Sequence, residues 1–189
     1  DAESGRVLAA NNADQVVHPA SLTKIMTLYM AFDALKRNQL SLQQPIRVSA
    51  HASAMLPSKL GLRPGDTLTT EQAVLALVTK SANDAAVALA EAVGGSLDNF
   101  VAMMNRQAQA WGLKNTQFKN VTGLTEAGHQ STPRDMAYIA GKIIVDHPTF
   151  YPYYSVRQFT YNKIKQDNRN MLLGRDPSVD GMKTGYTEA

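Results

Sequence analysis

Between Ser21 and Leu35 the apolar residues Leu22, Ile25, Met26, Leu28, Tyr29, Met30, Phe32 and Leu35 cover most of a helix circumference. A helix apolar nearly all round is a buried one, so its few polar positions, Thr23, Lys24, Thr27 and Asp33, call for an explanation. Residues 41–70 lose that period, with Pro45, Pro57 and Arg63-Pro64-Gly65-Asp66 as turn punctuation. A second helix is predicted from about Thr70, with a break at Lys80-Ser81-Ala82-Asn83. A third runs from about Asp84 to Gly94-Gly95, and a fourth, capped by Ser96, ends near Trp111-Gly112. Thr132-Pro133-Arg134-Asp135 is a strong start for a fifth, with threonine at the N-cap and proline at the first helical position, ending before Asp146-His147-Pro148.

The ends of the chain read differently. Residues 1–10 suggest two short extended pieces around Ser4-Gly5, a hairpin. Phe150, Tyr151, Tyr153, Tyr154, Phe159 and Tyr161 suit strands and loops, and Val179–Thr187 reads as another strand. The pattern predicts one α/β domain (of the α+β type) over 1–189, with a helical middle and end strands that pair into one sheet. No repeat, low-complexity tract or linker interrupts it.

The 189 residues are enough for a single hydrophobic core. Their 44% hydrophobic and 19% charged content is that of a globular protein. The net charge of +3 comes from scattered lysines and arginines, which disfavours nucleic acid as a partner. With no cysteine there is no thiol nucleophile, thiolate metal site or disulfide. His18, His51, His129 and His147 lack metal-ligand spacing, so no metal and no cofactor is expected. No apolar run is long enough to span a bilayer. The chain opens on Asp1, and the expectation is that any leader has been removed.

Three short motifs remain: Ser21-Leu22-Thr23-Lys24, Ser81-Ala82-Asn83 and Lys183-Thr184-Gly185. The first two are common by chance, whereas Lys-Thr-Gly arises about once in some 25 chains of this size. Their settings strengthen the set: a helix start, a break between helices, and a predicted strand. A serine at a helix start shares a face with position i+3. Its hydroxyl needs a base to become a nucleophile, and no histidine is spaced to serve. Lys24 can act if its pKa falls, and burial, the helix N-terminus and a second cation such as Lys183 all push it down. The ordinary alternative is Ser21 as an N-cap with Lys24 snorkelling to solvent. Ser81 and Asn83 have an ordinary reading as break residues, with Asn83 or Asp84 capping the next helix. For the third motif it is a solvated strand end. Against that, Gly185 would leave one strand face open for a substrate, with Thr184 and Lys183 beside it to hold a carboxylate.

Together the motifs resemble the signature of the serine penicillin-recognising enzymes. HPASLTKIMT, GLRPGDTLT, SANDAAVALAEAVGG, STPRDMA, NRNMLL and VDGMKTGYTEA extend the likeness to the low-molecular-mass penicillin-binding proteins, the D-alanyl-D-alanine carboxypeptidases in particular. The resemblance implies a β-lactamase/transpeptidase-like fold, with a helical region packed on a mainly antiparallel sheet. It also implies further strands and a closing helix beyond Ala189.

By that resemblance Ser21 is the acylated nucleophile, Lys24 its base and Ser81 the proton relay, while Asn83 holds the substrate amide and keeps Lys24 in place. Lys183, Thr184, Gly185 and Arg169 would bind the substrate and its carboxylate. The backbone N–H groups of Ser21 and Tyr186 would form the oxyanion hole. Some close relatives carry histidine where this chain has Tyr186.

The implied partner is a peptidoglycan stem peptide ending in D-Ala-D-Ala, with β-lactams as covalent inhibitors. The implied location is outside the bacterial cytoplasmic membrane, with any membrane association through segments beyond this chain. A D,D-endopeptidase cutting cross-links and a non-catalytic β-lactam sensor use the same residues and stay open. A class A β-lactamase is disfavoured, because Glu126 in Leu124-Thr125-Glu126-Ala127-Gly128 does not match the glutamate context of that class.

Overall fold

A computed structural model describes residues 1–186. The helices are α1 (Thr23–Lys36), α2 (Ala50–Ser53), α3 (Thr70–Lys80), α4 (Asn83–Gly94), α5 (Leu97–Ala110) and α6 (Pro133–Asp146). The strands are β1 (Pro45–Arg47), β2 (Thr67–Thr69), β3 (Gln158–Tyr161) and β4 (Ile164–Asp167). Helix α1 is buried along nearly its whole length, as its all-round apolar sequence requires, and packs against α4, α5 and α6. Helix α4 is alanine-rich, with Ala85, Ala86, Ala88 and Ala90 all buried, and small side chains let its neighbours approach closely.

The helix boundaries follow local chemistry. Thr69 and Gln72 form a reciprocal capping box at α3. Ser96 accepts from Asn99 N at α5, and Thr132 accepts from Asp135 N ahead of Pro133 at α6. Helix α3 stops because Ser81 turns into the left-handed region (φ 61°), which breaks the i→i−4 ladder and redirects the chain into α4.

The mixed helix-and-antiparallel-strand class holds, but the strands are not arranged as the sequence pattern suggests. Two separate two-stranded antiparallel ladders form, β1 with β2 and β3 with β4. Residues 1–10 make a turn closed by Gly5 N to Asp1 O but no hairpin. Residues 179–186 carry no ladder either, and Thr187 lies outside the described residues. A strand exists only through a ladder with a second segment, and among the described residues neither of these segments has one. Residues 180–182 are instead held by side chains: Asn170 Nδ2 donates to Gly181 O and Ser155 Oγ to Asp180 O.

Beyond the end of α6 lies His147, buried among Tyr29, Phe32 and Phe150, with no hydrogen-bond partner for either ring nitrogen among the described residues. Burial lowers its pKa below the usual histidine value. The unfolded chain therefore binds the proton more readily, and stability falls as pH drops below about 6.5 through the folded-state pKa. His147→Leu should raise stability at pH 7 by about 1 kcal/mol, since it removes an unpaired buried polar group. It should also flatten the decline on the acid side. Urea midpoints at pH 7 and pH 5 check this; an unchanged acid slope would refute it.

Candidate active site

Ser21 sits in a 3-10 turn (Ala20–Leu22) that feeds directly into α1. Ala20 adopts φ 48°, an unusual backbone for a non-glycine residue, costing about 1–2 kcal/mol. That conformation brings its carbonyl against Gly123, where any Cβ would overlap the Ala20 backbone. Gly123 itself has φ +87°, so only glycine meets both demands. This contact sets the 120–124 loop against the serine turn.

Lys24 lies one turn along from Ser21 and is fully buried at 0% exposure. Its Nζ donates to Ser21 Oγ at 3.2 Å and to Thr122 O at 2.7 Å. Thr27 Oγ1 donates to Val121 O at 2.8 Å, and Asn120 Oδ1 accepts from Gly123 N at 2.8 Å, which holds the loop in register with the helix. Burial pushes the Lys24 pKa well below the usual lysine range, and the charges of Lys183 and Arg169 push the same way. A neutral amine within reach of a serine hydroxyl is the arrangement a general base requires. Asn83 does not hold it: Asn83 Nδ2 donates to Leu56 O at 2.8 Å, and Lys24 takes its fixed acceptor from Thr122.

On the other side of Thr23, His129 Nδ1 accepts from Lys119 N at 2.9 Å, so its Nε2–H faces Thr23 Oγ1 at 2.7 Å. His18 Nδ1 lies 3.1 Å from the His129 carbonyl, which it meets as a donor. Burial lowers the His129 pKa to about 4, so the ring stays neutral as a structural tie.

A cavity of about 590 Å³ opens over this helix start, lined by Ser21, Ser81, Asn83, Arg169, Thr184, Gly185 and Tyr186 among others. Five motif residues, Ser21, Ser81, Asn83, Thr184 and Gly185, thus line one cavity, while Lys24 and Lys183 are buried next to residues that line it. Ser81 Oγ is buried with no partner among the described residues, leaving its hydroxyl available. Lys183 is 7% exposed and donates to Thr184 O. Burial, then the Arg169 charge, lowers its pKa to about 7.

Gly185 lies on no strand among the described residues, so its bare backbone serves a different purpose from the expected open strand face. A Cβ there would meet Leu22 Cγ at 3.1 Å, so the bare glycine lets the third motif lie against the serine turn. Tyr186 is 82% exposed and contributes to the cavity rim. Among the described residues no group of three His, Asp or Glu side chains converges as a metal site.

Pro57, Ser58, Thr122, Gly123, Leu124 and Thr125 also line the cavity and were not among the motif residues. Ser58 bonds to three residues elsewhere in the chain. Its Oγ accepts from Arg169 Nη2 at 2.9 Å and donates to Lys80 O at 2.9 Å, and its carbonyl accepts from Asn83 N at 2.7 Å. It therefore ties the arginine to the break between α3 and α4. Nothing in its sequence context, Leu56-Pro57-Ser58-Lys59, distinguishes it from an ordinary turn serine.

A family described as D-alanyl-D-alanine carboxypeptidase (Peptidase_S11) matches residues 1–189. The D-alanyl-D-alanine carboxypeptidase DacC of Escherichia coli K12 is 43% identical over 194 residues, covering 99% of this chain and 48% of that protein. The chain thus spans about half the length of such curated relatives. The structure of penicillin binding protein 5 from Haemophilus influenzae matches with a TM-score of 0.94 at 42% identity, over 99% of this chain and 56% of that one. Penicillin-binding protein D2 from Listeria monocytogenes in its ampicillin-bound form matches with a TM-score of 0.83 at 32% identity, over 99% of this chain and 76% of that one.

Proposed function

The chain belongs to the D-alanyl-D-alanine carboxypeptidase family, and from that premise we propose that it removes the terminal D-alanine from peptidoglycan stem peptides through an acyl-enzyme on Ser21. The observation that carries this is the buried Lys24 amine, 3.2 Å from the Ser21 hydroxyl and held by Thr122 O. Neutral Lys24 takes the Ser21 proton as Oγ attacks the penultimate D-alanine carbonyl. The developing oxyanion is met by the backbone N–H groups of Ser21 and Tyr186. The C–N bond then breaks, and Ser81, with its unpartnered hydroxyl, passes a proton to the leaving amine. Water adds to the ester and returns the serine, freeing the shortened stem.

Asn83 and Thr184 face the same cavity and serve the substrate amide and carboxylate, with Arg169 held ready by Ser58. Lys183 supplies positive charge from beneath and helps depress the Lys24 pKa. The Listeria relative's ampicillin-bound form supports β-lactams as ligands of this chain, and attack by Ser21 on the lactam carbonyl would make them covalent inhibitors. The substrate lies outside the cytoplasmic membrane, so the protein works there.

Incubation of the whole protein with a fluorescent penicillin should give one covalent adduct, mapped by peptide mass to Ser21, and D-alanine should be released from a stem pentapeptide. A folded protein that forms no adduct would refute the reading.

A further inference from the structure

The site cavity does not stand alone. A second depression of about 500 Å³ abuts it, lined by Pro57, Ser58, Lys59, Lys80 and Arg169. Three of these five residues are cationic and none is acidic. Pro57, Ser58 and Arg169 line both spaces, so the second lies against the wall where Arg169 stands. Lys80 has one ordinary reason for its charge, since it occupies the last turn of α3, where a cation suits the helix dipole. That reason does not extend to Lys59, which follows the Ser58 turn and donates to Ser53 O at 3.2 Å. Nor does it extend to Arg169, whose guanidinium is steadied by Ser58 Oγ at 2.9 Å. Among the described residues none of the three forms an ion pair with an acid. Three like charges around one depression repel each other, and an anion lodged between them relieves that repulsion.

Resting on the proposed reaction, in which Arg169 faces the carboxylate of the departing residue, we infer that Lys59 and Lys80 form a subsite for a second carboxylate on the leaving group. A departing D-alanine carries only one carboxylate and ends at Arg169. A leaving group with a further carboxylate, such as the strand released when a cross-link is cut, extends past Arg169 into the cationic depression. The chemistry of bond cleavage is unchanged: the same C–N bond breaks and the same amine leaves protonated. Only the charge on the departing side is read anew. The subsite therefore tilts the protein toward dicarboxylate leaving groups without altering the nucleophile.

The test compares kcat/KM for three acyl-peptides ending in D-Ala-D-Ala, D-Ala-D-Glu and D-Ala-D-Gln, in the whole wild-type protein and in the double variant Lys59→Gln with Lys80→Gln. Wild type should prefer the D-Glu peptide over its neutral D-Gln isostere by about fivefold, the size expected of lysine–carboxylate contacts open to solvent screening. That preference should vanish in the double variant and shrink in wild type at high salt, while D-Ala-D-Ala cleavage stays within about twofold. Cleavage of D-Ala-D-Ala with no preference between D-Glu and D-Gln would overturn the subsite and leave the carboxypeptidase reading standing. A preference that survives the double substitution would overturn it equally. If none of the three peptides is cleaved, both readings fall together.

Discussion

Lys24→Ala lowers the second-order rate of acylation by penicillin, and of D-alanine release, by about 10²–10⁴-fold, the usual worth of a positioned general base. Ser21 keeps its place in the 3-10 turn in that variant, so the nucleophile is present but has no group within reach to take its proton. Lys24→Arg separates a base from a mere cation, because a guanidinium stays protonated at every accessible pH. It should be as slow as the alanine variant.

The pH profile adds a readout that a structural role would not move. Lys24 acts deprotonated, so the rate rises with pH through its lowered pKa, on the acid side of the usual lysine range. Lys183 attracts the substrate carboxylate while protonated, so the rate falls as pH passes its value of about 7. Lys183→Gln removes a positive neighbour, which raises the Lys24 pKa and moves the ascending limb to higher pH. Stopped-flow acylation across pH 5–10 with all four proteins checks this. A Lys24→Ala rate within tenfold of wild type, or an ascending limb that ignores Lys183→Gln, would sink the assignment.

The helical part of this fold was legible because its determinants are local. Capping residues such as Thr69, Ser96 and Thr132 act on backbone groups within one turn, and the all-round apolar face of α1 states its burial directly. The break after Lys80 could be placed, but not its cause, since a serine with φ 61° leaves no mark in composition. The terminal segments misled for the opposite reason. Residues 1–10 and 179–186 have the right residue types for strands, yet a ladder needs a second chain segment at hydrogen-bonding distance, and no local pattern encodes that.

The site divides in the same way. Ser21, Lys24, Ser81, Asn83 and the 183–185 motif carry chemistry in their side chains, so residue type and spacing point to them. Thr122 contributes a backbone carbonyl and Gly123 the lack of a side chain, and neither function depends on a recognisable motif. Ser58 is one serine among many until Arg169, more than a hundred residues away in sequence, is seen to bond it. Asp84 was legible only as a possible helix cap, which is the smaller part of what it does.

Asp84→Ala should be the most destabilising single change near the cavity. Its carboxylate is completely buried and accepts from Leu60 N at 3.0 Å, Gly61 N at 2.9 Å, Leu62 N at 3.0 Å and Ala85 N at 2.9 Å. Three consecutive backbone donors of the 60–62 segment thus converge on one side chain from the first turn of α4. Truncation leaves those donors without a partner at about 1–3 kcal/mol each, offset where the loop can relax toward water. A loss of about 3–5 kcal/mol follows, with a smaller loss for Asp84→Asn, which keeps one acceptor oxygen.

The functional consequence is distinct from that of Lys24. The 60–62 segment follows Pro57 and Ser58 closely in the chain, and Ser58 in turn holds Arg169 and the backbone of Asn83. Loosening it should weaken substrate and penicillin capture by letting the binding wall drift, while Lys24 keeps its bond to Thr122 and the ascending pH limb stays where it is. Urea unfolding measures the first effect, and hydrogen exchange should show the Leu60, Gly61 and Leu62 amides losing protection ahead of global unfolding. If those amides stay protected, or if the ascending limb shifts along with the rate, then Asp84 does not act by clamping this wall.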